Sequence, residues 1–380
     1  MQAKTKPEAH SLLPAPEASP SNVCIPMVVK LVSVLVLGAL IFAAIYLPKP
    51  DEATPQLVEN EEPVPPIAAA AIPDESAAET PDNPVELGSV HWSRDLDASR
   101  AQAKISGKPL LILFQEVPGC SNCTRYGSVT LRHPLIVEAI ETYFEPVCIY
   151  NNKDGKDAEA LRLFGEAAWN NPVVRIVGAD NRDLVERMPD FRSSGQVVDG
   201  IRAALGKTGQ AVPVYLELLS EELKARETGI ETATFTMGCF WVGEGALGNL
   251  PGVIETAPGF QDGREVVRVT YDPTRVTPAQ LEKTVQSKGI KSCNSNTGFR
   301  TDREPKYYLS QTHWRGVPMT SLQACRANSL VGQGQSPESI LSPRQLELGR
   351  RIQSQPELGW VNVVGTDDLA GSWEKQWQLQ

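Results

Sequence analysis

The sequence predicts an α/β unit followed by an α+β unit, behind a single membrane-spanning helix, on three observations. An uncharged apolar run, LVSVLVLGALIFAAIYL, occupies Leu31 to Leu47. Between residues 109 and 177, three short apolar runs alternate with helix-like stretches, as strands and helices do in an α/β layer architecture. After residue 230, a second strand–turn–helix is followed by the strand-like Arg264 to Tyr271.

A chain of 380 residues has room for two domains or more. Its net charge of −10 argues against nucleic acid as a general partner, because phosphate binding needs a basic surface. The seven cysteines have no regular spacing, so redox use of a few fits better than a disulfide scaffold.

Ile25 to Val29 extends the apolar run past a single Lys30, and about 20 such residues cross a bilayer as a helix. A cleaved signal peptide is the alternative, but the run is long, starts late and is followed by no clear small-x-small cleavage site. Lys4, Lys6 and Lys30 precede the span, while Asp51, Glu52, Glu59, Glu61 and Glu62 crowd the far side. Positive charge stays inside. Residues 1–24 are therefore expected as a cytoplasmic tail, 25–47 as a single-pass anchor, and the rest outside the cytoplasm, periplasmic if bacterial. Residues 48–90, rich in Pro, Ala and Glu without hydrophobic period, read as a disordered spacer reaching about 100 Å if extended.

The first unit spans 91–205. Pro109 to Phe114 reads as a strand buried on both faces; Pro146–Tyr150 and Pro172–Val177 follow, separated by helix-like Pro134–Tyr143 and Asp157–Ala168. Cys120-Ser121-Asn122-Cys123 lies after a strand and before a helix. The first sulfur would sit at a helix N-terminus, which favours its thiolate; the second, one turn in, can attack a mixed disulfide. Zinc is the competing use of this pair, but it needs further ligands, and His133 alone is insufficient. Cys148, inside an apolar strand, reads as inert core. This unit resembles the thioredoxin fold. The resemblance places Pro172 where that family carries a cis-proline beside its active disulfide. The motif departs from the usual one: no tryptophan precedes Cys120, and Ser121-Asn122 is not the common dipeptide.

Residues 206–230 read as a connection, with Val214 to Ala225 an amphipathic helix. The second unit, 231–380, opens on Phe235-Thr236-Met237-Gly238-Cys239-Phe240-Trp241. Cys239 falls on a strand-to-helix turn before the helix-like Val242–Leu250, where backbone N–H groups would stabilise a thiolate and two rings would wall a pocket. A buried core cysteine is the plain alternative.

The segments ATFTMGCFW and VGEGALGNLPGVIETAPGF, followed by REVVRVTYDPTRVTPAQLEK, resemble the active-site region of peptide methionine-S-sulfoxide reductases over roughly residues 231–310. The resemblance implies an α+β fold here, Cys239 as the nucleophile on the sulfoxide sulfur, and Phe240 and Trp241 around the methyl group. It also implies Glu265 as the general acid. Strand alternation puts Glu265 on the face of Val267, Val269 and Tyr271, where burial would keep it protonated; the alternative is a residue simply exposed at the start of the strand. By the same resemblance, Asp302 and Tyr307, five residues apart, would help hold the sulfoxide oxygen, with Tyr308 an alternative for Tyr307. Two departures stand out. Val242 replaces the family's glycine and is expected to crowd the turn, and the loop between Phe260 and Glu265 is much shorter than usual.

Helices are expected from Val276 to Ser287, opened by Thr277-Pro278, from Thr320 to Val331, and from Ser342-Pro343 to Ile352. Trp360, Trp373 and Trp377 read as packing surface. Cys293, in the polar SCNSN stretch, and Cys325, on an apolar helix face, are the candidate resolving thiols; a structural Cys293–Cys325 disulfide is the alternative. The expectation is thus a membrane-anchored reductase of oxidised methionine in extracytoplasmic proteins, recycled by its fused CxxC unit and an upstream membrane thiol relay. It needs a thiol reductant, with no other cofactor and no metal. The alternatives are a general thiol–disulfide oxidoreductase with a client-binding second unit, and a non-enzymatic redox sensor or scaffold.

Overall fold

A computed structural model describes residues 83–189, 193–295, 297–365 and 368–379. The expected cytoplasmic tail, membrane anchor and most of the spacer lie outside the described residues, among which no helix is long and apolar enough to cross a membrane.

Asp95 caps helix α1 (Leu96–Ser106) by accepting from Asp97 and Ala98 N–H, and Gly107 ends it at φ 73°. Strand β1 (Leu110–Gln115) is buried along its whole length. Helix α2 (Ser121–Val129) and helix α3 (Pro134–Tyr143) lead to β2 (Glu145–Tyr150). Helix α4 (Lys156–Phe164) ends at left-handed Gly165, four residues short of the expected Ala168. Strands β3 (Val173–Val177) and β4 (Met188–Pro189) and helix α5 (Ser194–Lys207) complete the unit. The sheet order is β2-β1-β3-β4, with β1 parallel to β2 and antiparallel to β3. Alternation divides β1 between two cores: Leu111 and Leu113 face one, Leu110, Ile112 and Phe114 the other. That two-sided burial explains the continuous apolar run.

Helix α6 (Val214–Thr228) leads into β5 (Glu231–Thr236), helix α7 (Phe240–Leu247) and the hairpin β6 (Val253–Gln261) and β7 (Arg264–Tyr271). Asp262 (φ 51°) and Gly263 (φ 74°) make its two-residue turn, the left-handed pair that an Asp-Gly turn favours. The short loop is therefore a closed hairpin. Helix α8 (Pro278–Val285) starts on a Thr277–Gln280 capping box. With β8 (Lys291–Ser292) and β9 (Arg300–Thr301), the second sheet is antiparallel in the order β8-β5-β7-β6-β9.

The remainder is helical: α9 (Tyr307–Ser310), α10 (Ser321–Gly332), α11 (Pro343–Ser354) and α12 (Leu369–Trp377). Capping boxes at Thr320 and Ser342 start α10 and α11 where the sequence expects them. These helices tie the two sheets into one compact unit. Glu138 on α3 accepts from Ser342 Oγ at 2.6 Å and Arg344 N at 2.8 Å, at the start of α11. Glu222 on α6 accepts from Leu322 N at 2.9 Å, at the start of α10. Both carboxylates meet free helix N–H groups. Trp373 on α12 packs into the core of the first sheet. The tail thus belongs to both halves.

Candidate active site

Cys239 is the N-cap of α7, with extended backbone (φ −143°, ψ 119°) and a half-buried side chain. Its strand-to-helix position is the one the sequence implies. Glu265, second residue of β7, reaches the start of the same helix: Phe240 N–H donates to Glu265 Oε2 at 2.8 Å. Glu265 is half-buried on the face whose Val267, Val269 and Tyr271 enter the core under α7 and α8. Its partner across the ladder is Phe260.

Aromatic rings line this end of the sheet. Phe240 packs on Phe260 (5.3 Å between centroids) and on Trp241 (5.4 Å). Tyr307 stacks on Trp241 at 4.0 Å and 12°. Tyr308 stands edge-on to Tyr307 at 5.7 Å, and burial, with Cys239 adding, raises its hydroxyl above the usual tyrosine range. Both tyrosines therefore lie at the site. Val242 is 52% exposed, so it does not crowd the turn as expected. A side chain on the third position of a helix can point outward, whatever its bulk.

Asp302 is spent locally: its Oδ2 accepts from Glu304 N at 3.0 Å, and among the described residues no hydrogen bond joins it to Cys239, Glu265 or Tyr307. Cys293 follows β8 on the stretch that crosses to β9, where Gln261 Nε2 donates to Ser295 O at 2.8 Å. Burial raises the Cys293 thiol, with Arg264 opposing and Asp262 adding; both belong to the hairpin end that bears Glu265. Cys325 is buried on α10, its sulfur accepting from Thr256 N at 3.1 Å. The described cysteines are all free, so no Cys293–Cys325 disulfide forms.

In the first unit, exposed Cys120 is the N-cap of α2, and Cys123, one turn in, is buried with its sulfur 3.6 Å away. The Cys123 backbone N–H leads the causes that hold Cys120 below the usual thiol value, whereas burial pushes Cys123 up to about 11. Cys123 Sγ donates to Asn171 Oδ1 at 2.8 Å, and the Asn171–Pro172 peptide is cis, as the resemblance implies for Pro172. Glu116 brings a third donor within 4.8 Å of both sulfurs; His133 is not part of that cluster. Cys148 is buried core.

Sequence reasoning missed Phe260 as the neighbour of Glu265, although the Asp-Gly turn fixes that register. It also missed a buried group of Glu244, Thr256, Lys306 and Cys325 behind the rings. No pattern of spacing signals it, because its members come from four separate segments.

Residues 91–179 match the family model described as thioredoxin-like. Another part of the chain is similar to peptide methionine sulfoxide reductases MsrA. The protein of that name from Methanoculleus marisnigri is 43% identical over 70 residues, covering 14% of this chain and 43% of its own. That of Rhodospirillum centenum is 40% identical over 72 residues, covering 14% and 33%. That of Corynebacterium diphtheriae is 27% identical over 122 residues, covering 28% and 54%. The chain spans a third to about half the length of these curated relatives. It therefore joins a thioredoxin-like domain to a segment similar to MsrA.

Proposed function

We propose that the chain is a thiol-dependent reductase of methionine-S-sulfoxide in proteins, with Cys239 as nucleophile and the CxxC pair as its source of electrons. The observation that carries this is the meeting of Cys239 and Glu265 at one helix N-terminus inside an aromatic wall. Apolar rings suit the methyl group of the substrate, and the carboxyl can hold the proton the sulfoxide oxygen must receive.

The Cys239 thiolate attacks the sulfoxide sulfur while Glu265 protonates the oxygen. Collapse of that adduct releases the thioether and leaves Cys239 as a sulfenic acid. Condensation with the Cys293 thiol expels water and forms a disulfide. Cys120 attacks this disulfide, and Cys123 displaces the mixed disulfide to give oxidised Cys120–Cys123. An external dithiol restores the pair. Each turnover converts one sulfoxide and two thiols into one thioether, one disulfide and one water. Fusion of the two units raises the effective concentration for the exchange.

The apolar run 25–47 and the charges flanking it support a single-pass anchor, oxidised extracytoplasmic proteins as substrates, and a membrane thiol relay as donor. The complete geometry of Cys120, Cys123 and Pro172 favours one second reading, general thiol–disulfide exchange. Both epimers of a methionine-sulfoxide peptide and the insulin disulfide distinguish them. Loss of only S-sulfoxide reduction in Cys239→Ser supports the proposal. Insulin reduction alone, untouched by Cys239→Ser but lost in Cys120→Ser, overturns it in favour of exchange.

A further inference from the structure

A charged group is sealed behind the aromatic wall. Glu244, one turn after Trp241 on α7, is fully buried, and Lys306 is 3% exposed. Lys306 Nζ lies 3.1 Å from Glu244 Oε1 and also donates to the Thr256 carbonyl. The backbone N–H of Lys306 donates to Glu244 Oε2 at 2.9 Å. One carboxylate thus grips one residue by main chain and side chain together. Thr256 Oγ1 adds a bond to Glu244 Oε1 at 3.2 Å.

Taking two ions out of water costs several kcal/mol each, so a buried pair is weak evidence for stability and invites another role. Burial by itself would lower Lys306, but Cys325 and Glu244 outweigh it and hold the ammonium well above the usual lysine value. The backbone of Lys306 is left-handed (φ 54°, ψ 51°), uncommon for a residue with a side chain. The next residue is Tyr307, stacked on Trp241. Tyr308 then passes so close to Gly245 and Gly332 that a Cβ would meet its ring at 3.3 and 2.7 Å. The same helix carries Cys239, Trp241 and Glu244, so the grip joins the tyrosines to the nucleophile's own helix.

Resting on the function proposed above, we infer that Lys306 is a positioning residue: its pairing with Glu244 fixes the turn that sets Tyr307 on Trp241 and Tyr308 against Gly245 of the nucleophile's helix. The test uses the full-length chain, as wild type, Lys306→Met, Lys306→Arg and Glu244→Gln/Lys306→Met; the double variant leaves no unpaired buried charge. Two quantities are read. One is the indole N–H resonance of Trp241, identified by its loss in Trp241→Phe; the other is KM and kcat for a methionine-S-sulfoxide peptide.

Both Met variants should move the Trp241 resonance in the direction Tyr307→Leu moves it and raise KM about tenfold, with a smaller change in kcat. Lys306→Arg, which keeps the charge, should raise KM less. Insulin reduction through Cys120 and Cys123 reports that each variant is folded. An unmoved resonance with an unchanged KM in the folded double variant overturns the inference. A wild type that reduces no sulfoxide, with the resonance moving as stated, defeats the proposed function and upholds the positioning role.

Discussion

Phe240 N–H and the Glu265 carboxylate, 2.8 Å apart, bind the start of α7 to the second residue of β7, and so hold an acid beside the cysteine that caps the helix. Glu265→Gln keeps an oxygen that accepts this bond and removes the carboxyl group that the proposed step uses as its acid. Its kcat for sulfoxide reduction should fall by about 10²–10⁴. The alkylation rate of Cys239 should stay close to wild type, measured by peptide mass spectrometry. Unimpaired turnover would remove Glu265 from the chemistry.

The two sulfurs of the CxxC pair should differ in kind. Cys120 is exposed and held low, whereas Cys123 is buried and pushed up to about 11. Iodoacetamide at pH 7 should modify reduced Cys120 faster than Cys123 by on the order of a hundredfold. Equal rates, followed peptide by peptide, would contradict the assigned order of attack.

Glu138 makes the joint between the halves sensitive to pH. Burial raises its carboxyl from 4.5 to about 7, against the bonds from Ser342 and Arg344. The native chain therefore holds a proton that the unfolded chain has released between those values. The stability this group contributes is fully present below pH 4.5 and is lost as pH rises through about 7, by on the order of 3 kcal/mol. Glu138→Gln should flatten that slope, so its Tm should fall less than wild type between pH 5 and pH 8. Parallel profiles would refute the assignment.

The tail should matter to the first unit. Trp373 is 7% exposed within the core that β1 shares. Trp373→Ala should cost about 3–5 kcal/mol and lower the Tm of the whole chain, read by calorimetry. Wild-type unfolding in this variant would mean that α12 is a passive appendage.

Much of this was legible because the deciding signals are local. The apolar runs at 109–114 and 146–150, the capping residues Thr277, Thr320 and Ser342, and the glycine-flanked Cys239 each act within a few residues. The strands and helix starts follow from them. Glu265 was legible through period-two alternation, but its hydrogen bond to Phe240 depends on the pairing of β5 with β7. Helix α4 ended early because Gly165 outweighed the helix-like residues after it. The Glu244–Lys306 pair and the return of Trp373 to the first sheet join positions 62 residues apart and more. Only tertiary packing determines contacts of that range.

A single-turnover experiment tests the central claim most directly. The reduced full-length Cys293→Ser chain is mixed with a methionine-S-sulfoxide peptide, without added reductant but with a sulfenic-acid trap. One thioether should appear per chain, with the trap attached to Cys239. Thioether formation with the trap absent from Cys239, or none formed while the CxxC pair still reduces insulin, would contradict the account.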